Sequence, residues 1–546
     1  MQVDLIVRNA RIYPGDTGAP SSDALAVLHG RIVAVGADVD GLRAQETLDA
    51  RGRVVLPGFA DAHAHSVWFG MTLMEADLSA VRSLDEIYRI IGDRAASTDG
   101  DEWIVASGFN PVLLQGQNPD PDQLDRASGG RPVWIKHASG HSCQLSTAGL
   151  TRTGALSRAG QSFDGGRIVV DDAGHATGVL EERAMSLVRD VLLPYPLAMI
   201  EQALDLATAA YAREGLTAVT DCGVAAGWIG HAPGEVAAYQ NALEHGALRT
   251  RMQVMPVIDA LPLLEGHADE PVRRGLGTGV RTGWGDDRLM FGPTKVFTDG
   301  SILGRTAQLT DHYDGCPGHH GYLQEDPDVM RERMIAAYAG GWSLALHAVG
   351  DAALDLALDT LEEAVRKHGS RRVPNRVEHG IAVRPDQLAR LAELGIACVV
   401  QPGFIRAFGE GMRRALGESR VPWSVRARTL LDAGLPLGHS SDRPVAPGAP
   451  LASIQSFVER LTEDGLPYGP AERITPAEAV RAATLGTAEV TGQADRRGRL
   501  VPGQLADMVF LDAHPAEVPP SDIHAIPILA TAVGGEFTYR SEELPS

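Results

Sequence analysis

Several features that define other classes of protein are scarce in this chain of 546 residues. Its four cysteines, Cys143, Cys222, Cys316 and Cys398, show no paired short spacing, which excludes a disulfide framework and a zinc finger. Basic residues number 49 against 70 acidic ones, and the net charge of -21 without a basic patch argues against a nucleic-acid partner. Aromatic residues make up only 5%, so the sequence indicates no aromatic-lined pocket.

Long apolar runs are also missing. No stretch approaches the length needed to span a bilayer, and the N-terminal segment lacks the basic region and apolar run of a signal peptide. We therefore expect a cytoplasmic protein with no membrane partner. The 44% apolar and 22% charged residues are typical of a globular chain that buries a large core.

The pattern of strands and helices indicates an α/β fold, a (β/α)8 TIM-type barrel with additional domains. Such a barrel alone uses roughly 250 residues, fewer than this chain has. Strand-like runs alternate with helix-like segments such as 353–367 and 385–394, as in parallel βα units. Eight runs fit the barrel strands: 55–59, 216–220, 252–257, 291–297, 343–346, 376–378, 396–400 and 435–439.

The rest of the chain predicts two further domains. Both ends are rich in short strands, so residues 1–56 and 490–546 are predicted to form one small β-sandwich domain. The barrel then covers residues 57–489. Residues 70–200 make too long an interval for a barrel loop, and they are predicted to form an insertion domain after the first barrel strand.

Two histidines one residue apart carry the strongest functional signal. His63 and His65 follow an apolar run and a Pro-Gly break, and side chains at i and i+2 of an extended backbone project from the same face. His347, His379 and Asp442 stand at the ends of later apolar runs. Since the carboxyl ends of barrel strands share one face, these nitrogen and oxygen ligands can converge there. The pattern predicts a catalytic divalent metal site.

In this order the motifs resemble those of the amidohydrolase superfamily. More narrowly, they are similar to the amidohydrolase-3 (YtcJ-like) branch, which includes N-substituted formamide deformylases. The resemblance covers nearly the whole chain. The motifs that carry it are PGFADAHAH, SGHS, KVFTDGS, HAVGDAALD, RVEHG, SSDRPV and the tail ITPAEAVRAATLGTAEVTGQADRRGRLVPGQLADMVFLD.

The resemblance implies a metal-activated water that attacks an amide or related carbon. A divalent metal lowers the pKa of bound water to about 7, and zinc, as one or two ions, is the expected metal. Lys295 would be carboxylated by carbon dioxide and bridge two ions, because an ammonium has no electron pair to donate. The implied metal ligands are His63, His65, Lys295, His347, His379 and Asp442.

Further roles come from the same motifs. Asp442 would also accept the proton of the attacking water, and His141 would act in catalysis by donating to a substrate oxygen. Asp299 and Arg305 would join His141 in binding and orienting the substrate. Glu378 precedes His379 on an alternating strand, so it is predicted to point away from the site in a structural role.

These residues predict a hydrolase acting on a non-peptide carbon–nitrogen bond of a small molecule, in an N-acyl, formamide, carbamate or cyclic amide group. An esterase or lactonase would use the same site and is an alternative. A non-catalytic binding protein with the same fold is a further one, although the intact ligand set argues against it. The sequence leaves the oligomeric state open, although a homodimer is common among relatives. The substrate contacts lie in loops and in the insertion, so the sequence does not identify the substrate.

Overall fold

The computed structural model describes residues 2–15, 20–98, 100, 102–137, 142–163, 166–227, 229–267 and 272–544. The chain divides into two compact units. The larger one consists of Met1–Ser66 and Leu204–Ser546, and the smaller one is Val67–Ala203.

The larger unit is built around two sheets of parallel strands. The first sheet has the order Leu289–Phe291, Arg251–Pro256, Leu216–Val224, Phe59–Ala64. The second has the order Thr294–Phe297, Leu344–Ala348, Arg376–His379, Ala397–Val400, Leu437–His439. Parallel βα units of this kind fit a TIM-barrel hydrolase, as the sequence predicts.

Backbone contacts connect these sheets at both edges. Val257 and Lys295 form an isolated parallel bridge, and the Asp442 amide donates to the His63 carbonyl oxygen over 2.7 Å. The predicted run 291–297 is divided between the sheets at Gly292 and Pro293, because proline has no amide hydrogen to give to a ladder.

The first parallel strand lies later in the chain than the run 55–59 predicts. Val54–Pro57 pairs antiparallel with Met508–Leu511 in another sheet, and the strand that carries the paired histidines begins at Phe59. Gly58 stands between them, where a Cβ atom would come within 2.2 Å of the Thr217 side chain. Only glycine allows this close approach at the break, which directs Phe59–Ala64 into the parallel sheet.

Strands from both chain ends share one sheet of the larger unit. Its order is Arg11–Ile12, Val54–Pro57, Met508–Leu511, Ile528–Val533, Glu536–Arg540. A four-stranded sheet contains only N-terminal strands, in the order Arg31–Val35, Leu25–Leu28, Gln2–Arg8, Arg43–Asp49. Apolar residues of both sheets, including Val27, Val55 and Phe510, belong to one buried cluster.

Helices separate the parallel strands. Pro385–Leu394 starts with proline, whose missing amide hydrogen is not needed there, and ends before Gly395 in the left-handed conformation at φ 61°. The helices are Leu197–Arg213, Glu235–Glu244, Pro327–Ala339, Asp351–His368, Pro385–Leu394, Gly403–Leu416, Ala427–Asp432, Pro450–Glu459, Pro476–Arg481 and Thr487–Val490.

The smaller unit has its own seven-stranded sheet. The strand order is Ser162–Phe163, Gly166–Val170, Ala176–Glu182, Ser142–Leu145, Val133–His137, Ile104–Phe109, Ala76–Asp77. Its helices are Ser66–Met74, which begins at the unit boundary, Leu84–Ala96, Pro121–Ser128, Thr147–Arg152 and Ser186–Leu192. Its buried clusters are apolar. Across the described part of both units, no helix combines the length and apolarity that crossing a membrane requires.

Candidate active site

Three of the predicted ligands meet where the first and last parallel strands end. His63 lies near the end of Phe59–Ala64, His65 follows that strand, and Asp442 follows Leu437–His439. The Asp442 Oδ1 atom is 2.9 Å from Nε2 of His65 and 3.3 Å from Nε2 of His63. All three side chains are buried, and their ligand atoms lie close enough together to hold one metal ion.

The other predicted ligands lie on neighbouring strands. The Nζ atom of Lys295 is 3.5 Å from Nε2 of His63. The His379 ring lies 4.9 Å from the His63 ring and 4.5 Å from the His347 ring, measured between centroids. The structure therefore brings all six predicted ligands together in one group.

Three imidazoles are anchored through one ring nitrogen each. Nδ1 of His63 is 2.5 Å from Oε2 of Glu378, and Nδ1 of His379 is 2.9 Å from Oε1 of Gln401. Nε2 of His347 lies 3.0 Å from the Gly300 carbonyl oxygen. If these nitrogens carry the hydrogens, the opposite nitrogen of each ring presents an electron pair.

The free nitrogens suit a metal ion. Nδ1 of His347 is buried and has no hydrogen-bond partner within the described residues. A buried imidazole nitrogen without a partner is costly unless an ion or water satisfies it. The donor set of imidazoles and one carboxylate is the kind that binds zinc and similar divalent ions, so the residues present fit such a metal.

Two of the candidate ligands have unusual backbone conformations. His379 has φ 74° and Asp442 has φ 57°, in the left-handed region that residues other than glycine rarely adopt. Both lie at strand ends, where the alternation of side chains stops. A strained backbone conformation persists only where the surrounding structure holds it in place, and such conformations are concentrated at functional sites.

The charge states favoured at Asp442 and His379 also match metal binding. Burial raises the pKa of Asp442, but nearby His63 and His65 outweigh it and hold this pKa well below its ordinary range. Burial lowers the pKa of His379 to about 3 and lowers the pKa of Lys295. A carboxylate anion and a neutral imidazole are the forms that donate to metals.

Glu378 does not point away from the site, which corrects the sequence prediction. Its carboxylate contacts the His63 ring, and the side chain is completely buried. The strict alternation behind the prediction fails because the next residue, His379, leaves the extended conformation. Oε1 of Glu378 accepts a hydrogen bond from Nε of Arg376 over 2.5 Å. Burial raises the pKa of Glu378, but Arg376 and then His63 bring it below its usual range.

The three residues expected to contact substrate have different surroundings. The Asp299 carboxylate is buried and accepts hydrogen bonds from the amides of Gln308, Val349 and Gly350. Arg305 contacts the sulfur of Cys316. His141 lies outside the described residues.

Three residues that hold or adjoin the candidate ligands were not predicted from the sequence to do so. Arg376 and Glu378 are charged residues in a strand whose four residues are all buried. Charged residues are rarely fully buried, so their presence in a predicted buried strand was the one indication of a functional contact. Gln401 directly follows another buried strand, but nothing in the sequence distinguishes it from other loop amides.

A cavity of about 170 Å³ borders the site. Lys295 and Phe297 line it, and the ring of Phe297 is 5.4 Å from the ring of His347. The other walls are mixed: Val257 and Met330 are apolar, whereas Asp259, Glu325 and Arg333 are charged. The cavity is large enough for a small organic group.

Comparison with known proteins establishes the class of this chain. The model of the amidohydrolase family matches residues 46–539, and the chain belongs to that family. This confirms the membership predicted from the motifs.

Individual relatives agree with this assignment. The chain is 28% identical to the putative amidohydrolase YtcJ of Bacillus subtilis, over 91% of this chain and 90% of the relative. It is 27% identical to the N-substituted formamide deformylase of Arthrobacter pascens, over 98% of both chains. Among solved structures it is similar to an uncharacterized metal-dependent hydrolase from Pyrococcus furiosus, with TM-score 0.76, 26% identity and coverage of 94% and 99%.

Proposed function

We propose that this protein is a metal-dependent hydrolase that cleaves a non-peptide carbon–nitrogen bond, of an amide, formamide or carbamate type, in a small molecule. The observation that carries the proposal is the buried group of Asp442, His63 and His65, with Lys295 beside it. The likeness to a formamide deformylase and to a metal-dependent hydrolase supports the same reaction.

The roles of the residues follow from their atoms. A bound divalent ion, zinc in this proposal, supplies a water of lowered pKa and polarises the scissile carbonyl. His63, His65, His347, His379 and Asp442 would hold it. Because the environment keeps the Asp442 carboxylate ionised, Asp442 can also take a proton from the attacking water and pass it to the leaving nitrogen. His141 is proposed to donate to the substrate oxygen.

Lys295 is proposed to be carboxylated. Burial lowers its pKa, which favours the neutral amine. The amine nitrogen can form a bond to the carbon of carbon dioxide and release one proton, which leaves an anionic carbamate with two oxygen donors. Beside His63, these oxygens could bridge two metal ions.

The cavity beside Lys295 and Phe297 is proposed to receive the organic substituent next to the scissile bond. Its size limits that group to a small one. We place the reaction in the cytoplasm, as expected from the sequence, and propose a homodimer, the assembly that the family resemblance suggests.

The proposal is tested by metal analysis and a substrate screen. The purified protein is expected to contain one to two equivalents of zinc or a similar ion, and chelation should abolish turnover. The zinc- or manganese-loaded protein is then assayed on N-formyl, N-acyl, carbamate, lactam and ester substrates. Turnover of amides but not esters supports the proposal, and faster turnover of esters or lactones would replace it with an esterase. Full activity without any bound metal would refute the mechanism.

A further inference from the structure

A completely buried ion pair lies beneath the candidate metal ligands. Arg376 and Glu378 are each 0% exposed, and the guanidinium donates through Nε to the carboxylate over 2.5 Å. Nη2 of Arg376 lies 3.2 Å from the Met255 sulfur and 3.8 Å from the Cys222 sulfur. The charges are therefore enclosed by soft, weakly polar groups.

Both members of the pair also contact the strand that carries the paired histidines. Oε2 of Glu378 is 2.5 Å from Nδ1 of His63. Nη2 of Arg376 donates to the carbonyl oxygen of Ala62 over 2.8 Å. One end of the pair thus holds the His63 ring, and the other holds the backbone one residue before it.

Stability alone does not explain such a pair. Removing two charges from water costs about as much as their attraction returns, and apolar residues of similar volume often serve a core equally well. A carboxylate that accepts the hydrogen of one ring nitrogen fixes the tautomer and the orientation of the imidazole.

We propose that Arg376 and Glu378 act as a positioning pair for His63, holding its Nε2 electron pair toward Asp442 and Lys295. The inference rests on the proposed function, in which His63 is a metal ligand. Glu378 fixes the tautomer and angle of the ring, and Arg376 fixes the carboxylate and the strand. Neither residue touches the substrate.

A purely structural pair is the competing explanation, and a double variant distinguishes the two. Glu378→Gln keeps an oxygen that can accept from His63 but leaves the Arg376 charge buried without its counter-ion. Arg376→Met together with Glu378→Gln removes both charges at similar volume. The double variant therefore relieves the charge imbalance without restoring a carboxylate at His63.

The readouts are the zinc dissociation constant, measured by competition with a chelator, the visible spectrum of the cobalt-loaded protein, and the midpoint of denaturant unfolding. We expect Glu378→Gln to weaken zinc binding by about 10- to 100-fold, the usual cost of losing such a partner, and to alter the cobalt spectrum. The double variant should regain unfolding stability toward that of the wild type, while its zinc affinity stays low.

Glu363→Gln is the matched control, because Glu363 is also ion-paired, to Lys367, but lies on a partly exposed helix face. It should leave all three readouts unchanged. Wild-type zinc affinity in the double variant, or in Glu378→Gln, would overturn the positioning role. If Glu378→Gln does not fold, the double variant alone decides. Failure of the wild type itself to bind zinc would instead refute the proposed function.

Discussion

The two halves of the candidate site are organised differently. Where the first and last parallel strands end, Asp442 contacts His65 at 2.9 Å and His63 at 3.3 Å. On the neighbouring strands, His347 and His379 are instead held by the Gly300 carbonyl and by Gln401, with their rings 4.5 Å apart.

The two halves therefore form two candidate metal positions. The ligands of the first are already close together, and those of the second are less so. The first half already holds a carboxylate between two imidazoles. In the second half, burial lowers the pKa of both His347 and His379. Lys295 joins this half to the first, with its Nζ atom 3.5 Å from His63 Nε2. An anionic Lys295 would supply the charge that a second divalent ion needs, so this residue decides between one and two ions.

The largest expected effect comes from breaking the compact half. Asp442→Asn removes both a charged ligand and the proposed proton acceptor while keeping the side-chain volume. General-base catalysis alone contributes about 10² to 10⁴ in rate, and we expect kcat to fall by at least that factor with the fold retained. Steady-state kinetics and circular dichroism measure the two quantities.

Asp464→Asn is the control, because Asp464 is exposed and should tolerate the change. Near-normal turnover of Asp442→Asn would remove this residue from the mechanism and leave water activation to the metal alone.

The second effect concerns the link between the halves. Lys295→Ala should lose at least one equivalent of metal and most activity, measured by elemental analysis and by turnover. Short carboxylic acids in solution should restore part of the activity by filling the place of the carbamate.

The matched control is Lys367→Ala, which removes an exposed lysine paired with Glu363. Electron density that ends at an ordinary lysine amine, beside one fully occupied metal position, would contradict the bridging role. The hydrolase proposal would survive that result with a single ion.

The positions of the strands were largely predictable, because buried parallel strands appear in the sequence as short apolar runs. The first strand was misplaced, since Val54–Pro57 and Phe59–Ala64 are both buried and only long-range pairing with Met508–Leu511 separates them. The periodicity of apolar residues indicates which residues are buried, but it does not indicate which sheet a strand joins.

The ligand set was predictable because it follows strand ends, where side chains converge. The contacts that orient the ligands were not. Glu378 was assigned to the wrong face because alternation assumes extended backbone, and the φ of 74° at His379 is not visible in the sequence. Gln401 reaches His379 only through tertiary packing.

The smallest expected effect concerns Asp299, which anchors the segment that carries His347. Its two carboxylate oxygens accept from the amides of Gln308, Val349 and Gly350 at 2.8 to 3.0 Å. Asparagine has one acceptor oxygen, so Asp299→Asn loses at least one of these bonds and should destabilise the fold by about 1 to 3 kcal/mol. Denaturant unfolding of the chelator-treated protein measures this difference.

The difference should also depend on pH. Burial raises the pKa of Asp299 to about 7, above the value of about 3.9 in an unfolded chain. The folded state then holds a proton that the unfolded state has released, so stability falls as the pH rises from about 4 to 7. Asparagine does not titrate, and the advantage of the wild type over Asp299→Asn should therefore be larger at pH 5 than at pH 8. If the stability advantage of the wild type instead grew with pH, the three amide donors would outweigh burial and keep this carboxylate ionised. Asp299 would then be a fixed negative charge 3.6 Å from Nε2 of His347.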